Sequence, residues 1–199
     1  MRDTASLIGY NDQEPFRRLD TGFPVESFTA KAMRLTLQFL GSFKAQLNGD
    51  TSIESRAKRI EALLAFLATE SDQAHRRDLL VGLLFPEMPD EQARTNLRQT
   101  LTRLRRAIND QAATPPFLLV TRESTRFNRE SDHFLDVESF TQLLNGCPTH
   151  RPERNRDCQD CIQELRNAVE LYHGPFLEGL SLDDSVAFDD WVTVKSCLL

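Results

Sequence analysis

Two short segments of alternating apolar and polar residues open the patterned part of the chain. Apolar side chains occupy every second position in residues 34–40, which is typical of a half-buried strand. Residues 43–47 alternate in the same way and end at the turn-forming residues 48–50. A small antiparallel sheet is therefore predicted, with Ile53 as a candidate for a short third strand.

Helical periodicity replaces this alternation further along the chain. Apolar residues recur every three or four positions in residues 56–69, 76–85 and 90–108, which predicts three amphipathic helices. Ser55 can cap the first helix, and Pro86 ends the second because proline cannot continue a helix.

A loop with two prolines separates the third helix from a second alternating stretch. Residues 117–121 and 126–128 flank a polar turn and predict a β-hairpin. The order of sheet, three helices and hairpin is that of a winged helix-turn-helix. Residues 33–130 are therefore predicted to form an α+β winged-helix domain. Residues 1–32 lack periodicity and are expected to be a flexible extension.

The remaining residues, 131–199, have a different pattern. Helical periodicity predicts helices at residues 138–144, 162–172 and 185–198, and only residues 134–137 look extended. No strands alternate with these helices, so the tail is predicted to be an all-α module.

The third helix carries the most distinctive candidate chemistry. Its leucines and Ile108 share one narrow face at about 100° per residue, while five arginines and no acidic residue lie between Ala93 and Ile108. Arginine can neutralise phosphate or bond to guanine with two donors, and Asn and Gln can bond to adenine in the same way. The candidate DNA contacts are the polar residues of this helix and two arginines of the hairpin: Arg94, Thr95, Asn96, Arg98, Gln99, Thr102, Arg103, Arg105, Arg106, Arg122 and Arg126.

A solvated basic face is the simpler interpretation of a lone helix with this composition. Here the helix follows another after a short turn and precedes a hairpin whose arginines can reach a minor groove or phosphates, which favours DNA binding. The net charge of −6 is also unevenly distributed. Residues 31–130 hold 16 basic and 12 acidic side chains, whereas residues 131–199 hold 5 and 13. This asymmetry indicates an anion-binding module joined to a module with another role.

Other functional classes leave no pattern in the sequence. There is no nucleophile–base constellation, no Gly-x-x-x-x-Gly-Lys-Ser/Thr phosphate loop and no open metal site, so an enzyme is not expected. No apolar run approaches the ~20 residues that span a bilayer, and residues 1–30 do not have the pattern of a signal peptide. The expected location is the cytoplasm, with no membrane partner.

Three of the four cysteines are clustered in the tail. Cys147 and His150 form one pair of candidate ligands, and Cys158 and Cys161 form another with the same spacing. Three thiolates and one imidazole can close a tetrahedral structural Zn²⁺ site. The alternatives are reduced cysteines without a role, or a redox-active pair of Cys158 and Cys161.

Short motifs from residue 33 to the C-terminus resemble the SARP-type bacterial transcription regulators. In these proteins an OmpR-like winged helix precedes a bacterial transcriptional activator domain. The most specific stretch is Ala93-Arg94-Thr95-Asn96-Leu97-Arg98-Gln99, followed by Leu104-Arg105-Arg106. The other matching motifs are Leu40-Gly41-Ser42-Phe43, Arg56-Ala57-Lys58, Leu63-Leu64-Ala65-Phe66-Leu67-Ala68, Arg77-Asp78-Leu79-Leu80, Leu84-Phe85-Pro86, Asp136-Val137-Glu138-Ser139-Phe140, Ala168-Val169-Glu170-Leu171-Tyr172, Gly174-Pro175-Phe176-Leu177 and Phe188-Asp189-Asp190-Trp191.

This resemblance implies a winged helix that binds repeats in promoter DNA and a tetratricopeptide-like helical module for dimerisation or protein contacts. The implied partners are double-stranded promoter DNA, RNA polymerase and a second copy of the chain. Only the first part of the helical module is expected in 199 residues, so the chain is interpreted as a fragment of a larger regulator or a truncated relative.

The predicted function is a sequence-specific DNA-binding transcription activator that reads promoter DNA with the third helix and the hairpin wing. The same sequence is compatible with two alternatives. One is a protein-interaction adaptor, and the other is the N-terminal regulatory fragment of a larger signalling protein, in both cases without DNA binding.

Overall fold

The computed structural model describes residues 33–49, 51–52, 57–145 and 159–199. The predicted extension at residues 1–32 lies outside these ranges, and residues 32–199 group into one compact unit. The described strands are β1 (Leu35–Gln38), β2 (Lys44–Leu47), β3 (Thr51–Ser52), β4 (His75–Arg76), β5 (Leu118–Val120), β6 (Ser124–Phe127) and β7 (His133–Leu135). The described helices are α1 (Lys58–Thr69), α2 (Arg77–Leu84), α3 (Asp90–Ala107), α4 (Asp136–Asn145), α5 (Gln159–Leu171) and α6 (Val186–Leu198).

These elements follow the order predicted from the sequence, and the bounds of the helices agree within three residues. The third strand is present at Thr51–Ser52, while Ile53 and the candidate cap Ser55 lie outside the described residues. The sequence pattern missed β4, because two residues are too few to show alternation. β4 pairs with β6, so the hairpin becomes a three-stranded sheet in the order β4-β6-β5.

The first sheet joins the start of the described chain to the strand that follows the hairpin. Its order is β3-β2-β1-β7, with β1 antiparallel to β2 and parallel to β7. The prediction of an all-α tail is therefore wrong for residues 133–135, which form a strand. The pattern there was too short to reveal a partner strand so far away in the sequence. The tetratricopeptide-like character of the tail and the domain boundary after residue 130 stay predictions.

A buried carboxylate fixes the crossing from the first sheet into the tail. Asp136, only 2% exposed, begins α4 and accepts the backbone N–H groups of Phe39, Leu40 and Val137 at 2.7–2.9 Å. Burial raises the pKa of this carboxyl, and the three N–H donors oppose the rise because they favour the charged form. Three otherwise orphaned donors at the end of β1 and the start of α4 are thereby satisfied.

The end of β1 is also bonded to the tail. Gly41 donates its N–H to the carbonyl of Pro175 at 3.1 Å, and the N–H of Leu177 reaches the carbonyl of Phe39 at 2.7 Å. Gly41 has a φ of 116°, and a Cβ there would lie 3.3 Å from Cβ of His173. This position therefore requires glycine both for its backbone conformation and for the close approach of the tail.

Trp191 of α6 holds the last helix against α1. Its ring packs at centroid distances of 5.1 Å from Phe66 and 5.7 Å from Phe176, and its Nε1–H donates to Glu70 at 2.8 Å. Lys195, one turn later, pairs with the same carboxylate at 2.8 Å. The tail thus shares one apolar core with the winged helix.

Candidate nucleic-acid interface

Helix α3 is seated by the apolar face that the sequence predicted. Leu97, Leu101, Leu104 and Ile108 are each at most 3% exposed and pack toward α1 and α2. The helix ends where Asn109 adopts a left-handed conformation, with φ of 51°, which asparagine tolerates better than most residues. Packing on one face leaves the polar side of α3 directed outward.

The structure places the predicted contact residues of α3 on this outward side. Six of them are exposed: Arg94, Arg98, Gln99, Thr102, Arg103 and Arg106. Thr95, Asn96 and Arg105 are half-buried. The Thr102 hydroxyl donates to the carbonyl of Arg98 at 2.8 Å, within the helix itself.

One flank of α3 lines a cleft of about 480 Å³. Asn96, Gln99 and Arg103 face it from the helix, and the amide of Asn96 donates to the sulfur of Met88 at 3.0 Å. The other walls are the start of α1, residues 57–60, and the acidic tail segment 181–184. Part of the predicted DNA-reading face therefore borders the tail, which the sequence pattern did not show.

Two arginines of α3 are held by acidic side chains. Arg94 pairs with Asp78 of α2 at 2.8 Å, and both side chains are more than half exposed, so the pair contributes little to stability. Arg105 differs, because its Nε donates at 2.7 Å to Asp110, whose side chain is fully buried. Asp110 also accepts the N–H of Leu118 in β5 at 2.9 Å. Arg105 and Asp110 therefore connect the end of α3 to the first strand of the hairpin.

The hairpin is the wing of the fold, and its turn is built by local hydrogen bonds. Thr121 Oγ1 accepts the N–H groups of Glu123 and Ser124, and the Thr121 carbonyl accepts a bond from Arg77 at 2.8 Å. Arg122 is exposed in this turn. Arg126 is half-buried in β6, opposite Leu119. The wing is thus fixed to both helices of the helix-turn-helix and presents Arg122 at its tip.

The predicted zinc ligands lie mostly beyond the described ranges. Cys147, His150 and Cys158 fall outside them, and Cys161 is disulfide-bonded. A sulfur in a disulfide is not the thiolate that zinc binds. Among the residues that the structure describes, no group of three His, Cys, Asp or Glu side chains could hold a metal ion. The structure gives no support for the zinc site.

Glu61 of α1 is a second acidic residue, among those that the structure describes, whose pKa is shifted. Burial raises its pKa, and the nearby charge of Lys58 partly offsets the rise. Neither Glu61 nor Asp136 lines the cleft beside α3.

No helix within the described ranges is long and apolar enough to span a bilayer.

Comparison with solved structures shows what fold this arrangement has. The chain is similar to EmbR of Mycobacterium tuberculosis, solved in complex with a low-affinity phosphopeptide, with a TM-score of 0.64 and 21% sequence identity over 83% of this chain. It spans 43% of the EmbR chain. No family model matches the sequence, and a search of curated proteins found no match. At this identity the likeness concerns the fold: the chain has an EmbR-like arrangement of small sheets and helices.

Proposed function

We propose that this chain is a transcription regulator of the SARP type that binds specific sequences in double-stranded promoter DNA. The observation that carries the proposal is the outward side of α3, where arginines alternate with Gln and Thr while the opposite side is locked into the core. The EmbR-like fold and the SARP-like motifs support it.

The residues of the interface divide by what they contact. Arg98 and Arg106 are exposed on α3 and suit phosphate contacts, as does Arg122 at the tip of the wing. Gln99 and Arg103 are exposed further toward the cleft and suit base edges in a major groove. Arg105 is held by Asp110, so its role is to position the wing relative to α3.

The test is selection of a binding sequence from a random duplex library with the full chain. The selected duplex and a scrambled duplex are then titrated over a range of salt concentrations. We expect one enriched sequence and a linear fall of log K with log salt, with a slope of ~0.9 for each phosphate contacted.

Two results would contradict the proposal. They are the absence of any enriched sequence and a salt slope near zero. Either result would favour the adaptor alternative, in which the acidic segment beside α3 belongs to a protein-binding surface.

A further inference from the structure

The tail segment 181–185 is anchored beside α3 by buried polar contacts. Ser185 is 1% exposed, and its hydroxyl donates to the carbonyl of Leu83 at the end of α2 at 2.6 Å. The same hydroxyl accepts the N–H of Phe188 and so caps α6. The position of this segment relative to the helix-turn-helix is therefore set by the fold.

Arg59 of α1 adds a second anchor. Its Nε donates to the carbonyl of Leu84 at 3.1 Å, its guanidinium forms an ion pair with Asp184, and it lies 5.0 Å from the ring centre of Phe85. Asp184 is thereby partly neutralised. Asp183 is exposed, and within the described ranges its carboxylate has no ion-pair partner.

Asp183 lines the same cleft as Asn96, Gln99 and Arg103. The cleft also holds the cations of Lys58 and Arg103, and Asp183 places an exposed negative charge among them beside the flank of α3 that is proposed to face DNA. A phosphate that approaches this flank comes within reach of the carboxylate, because the screening length is about 10 Å at 0.1 M salt.

We propose that Asp183 is a restraint on DNA affinity: its carboxylate repels the DNA backbone at the edge of α3 and weakens binding to duplexes of any sequence. The inference rests on the proposed DNA-binding function. Its physical reason is that phosphate attraction supplies nearly all non-specific binding. The exposed arginines of α3 attract a duplex of any sequence, and the carboxylate of Asp183 lowers that attraction without removing a base contact.

The experiment compares Asp183→Asn with the wild-type full chain, by fluorescence anisotropy on the selected and the scrambled duplex. We expect the variant to bind both duplexes about three- to tenfold more tightly at about 0.1 M salt, the range for one charge within a screening length of about 10 Å of a phosphate. The gain should shrink as salt is raised. Asp183→Lys, which reverses the charge, should give a larger gain.

Asp72→Asn is the matched control, since it removes the same charge from another exposed aspartate. The cleft lies at the start of α1, whereas Asp72 follows the end of this 12-residue helix, about 18 Å away along its axis. The control should bind like the wild type.

An equal effect of Asp183→Asn and Asp72→Asn would overturn the inference, since the gain would then come from net charge alone. Weaker binding by Asp183→Asn would also overturn it, because the carboxylate would then assist the interface. If the wild type binds the duplexes and the variants do not differ from it, the inference about Asp183 fails while the proposed function stands. If the wild type binds no duplex at all, the proposed function itself fails.

Discussion

The outward side of α3 and the seam, where Asp136 and Ser185 of the tail bond to the winged helix, use polar residues in opposite ways. At the seam, Asp136 and Ser185 are buried and hydrogen-bonded to backbone groups of the winged helix. On α3, Arg98, Gln99 and Arg106 are exposed. Buried polar groups must be satisfied within the chain, whereas the exposed donors of α3 stay available to water and to the DNA that we propose as their partner.

The two regions also differ in charge. The described part of the tail brings acidic groups to the seam and the cleft, whereas α3 is basic after its first turn. An acidic side chain near an arginine stabilises the fold, but it lowers the attraction of that region for DNA. The position of each acidic residue therefore decides its effect. Asp110 is buried and holds Arg105 in place, while Asp183 lies at the edge of the candidate DNA-binding side.

The largest expected effect is at the seam. Replacement of Asp136 by Ala leaves the N–H groups of Phe39, Leu40 and Val137 without their acceptor in a buried site. We expect the free energy of unfolding to fall by about 3 kcal/mol, measured by chemical denaturation. Asp132→Ala is the control, because Asp132 is exposed and its ion pair with Arg34, at 3.8 Å, is long and solvated. If both variants lose the same stability, the three buried bonds do not hold the seam together.

On the outward side of α3, we expect Arg103→Ala to weaken binding to the selected duplex by ~1–3 kcal/mol and to the scrambled duplex by less. The reason is that a bidentate contact to guanine discriminates between bases, whereas a phosphate contact does not. Anisotropy titrations of both duplexes measure the difference. Arg166→Ala, an exposed arginine of α5, should leave both affinities unchanged. Equal losses on the two duplexes would assign Arg103 to a phosphate.

Neighbouring arginines of α3 should respond differently to the same substitution. Arg105→Ala leaves the buried carboxylate of Asp110 without its charged partner, so we expect the free energy of unfolding to drop by about 1–2 kcal/mol. Arg106→Ala, at an exposed position, should change stability by less than ~0.5 kcal/mol and instead weaken DNA binding. If the two variants are equally stable, Arg105 does not support the wing, and Arg105 and Arg106 do not differ in role.

Hydrophobic periodicity predicted most of the helices and strands, because it records which side of each element is buried. The alternation that places Leu35, Leu37 and Phe39 inward and the helical stripe through Leu97 and Leu104 both survive in the structure, since burial of these side chains is what stabilises the elements. β4 was missed because it holds only two residues, whereas residues 134–137 were predicted to be extended but without the pairing of β7 to the distant β1.

Single polar residues were harder to assign. The sequence predicted Arg105 as a DNA contact by its type, but nothing in the spacing showed that Asp110 would be buried behind it. The position of Asp136 was informative, since an acidic residue at the start of a helix can accept orphaned N–H groups. Two of its partners, however, are the N–H groups of Phe39 and Leu40 after β1, which are too distant in the sequence to be predicted. The cleft between α3 and segment 181–184 could not be predicted, because it depends on how the tail packs in three dimensions and no local pattern encodes that packing.

The smallest effect expected on α3 concerns Arg98. It lies on the flank away from the cleft, is exposed, and suits a phosphate rather than a base. Arg98→Ala should weaken binding to both duplexes equally, by less than about 1 kcal/mol, and should reduce the salt slope of log K by ~0.9. A salt titration of wild type, Arg98→Ala and Arg103→Ala separates the two flanks directly. A loss confined to the selected duplex would place Arg98 on a base and would mean that base reading extends across the whole outward side of α3, not only along the cleft.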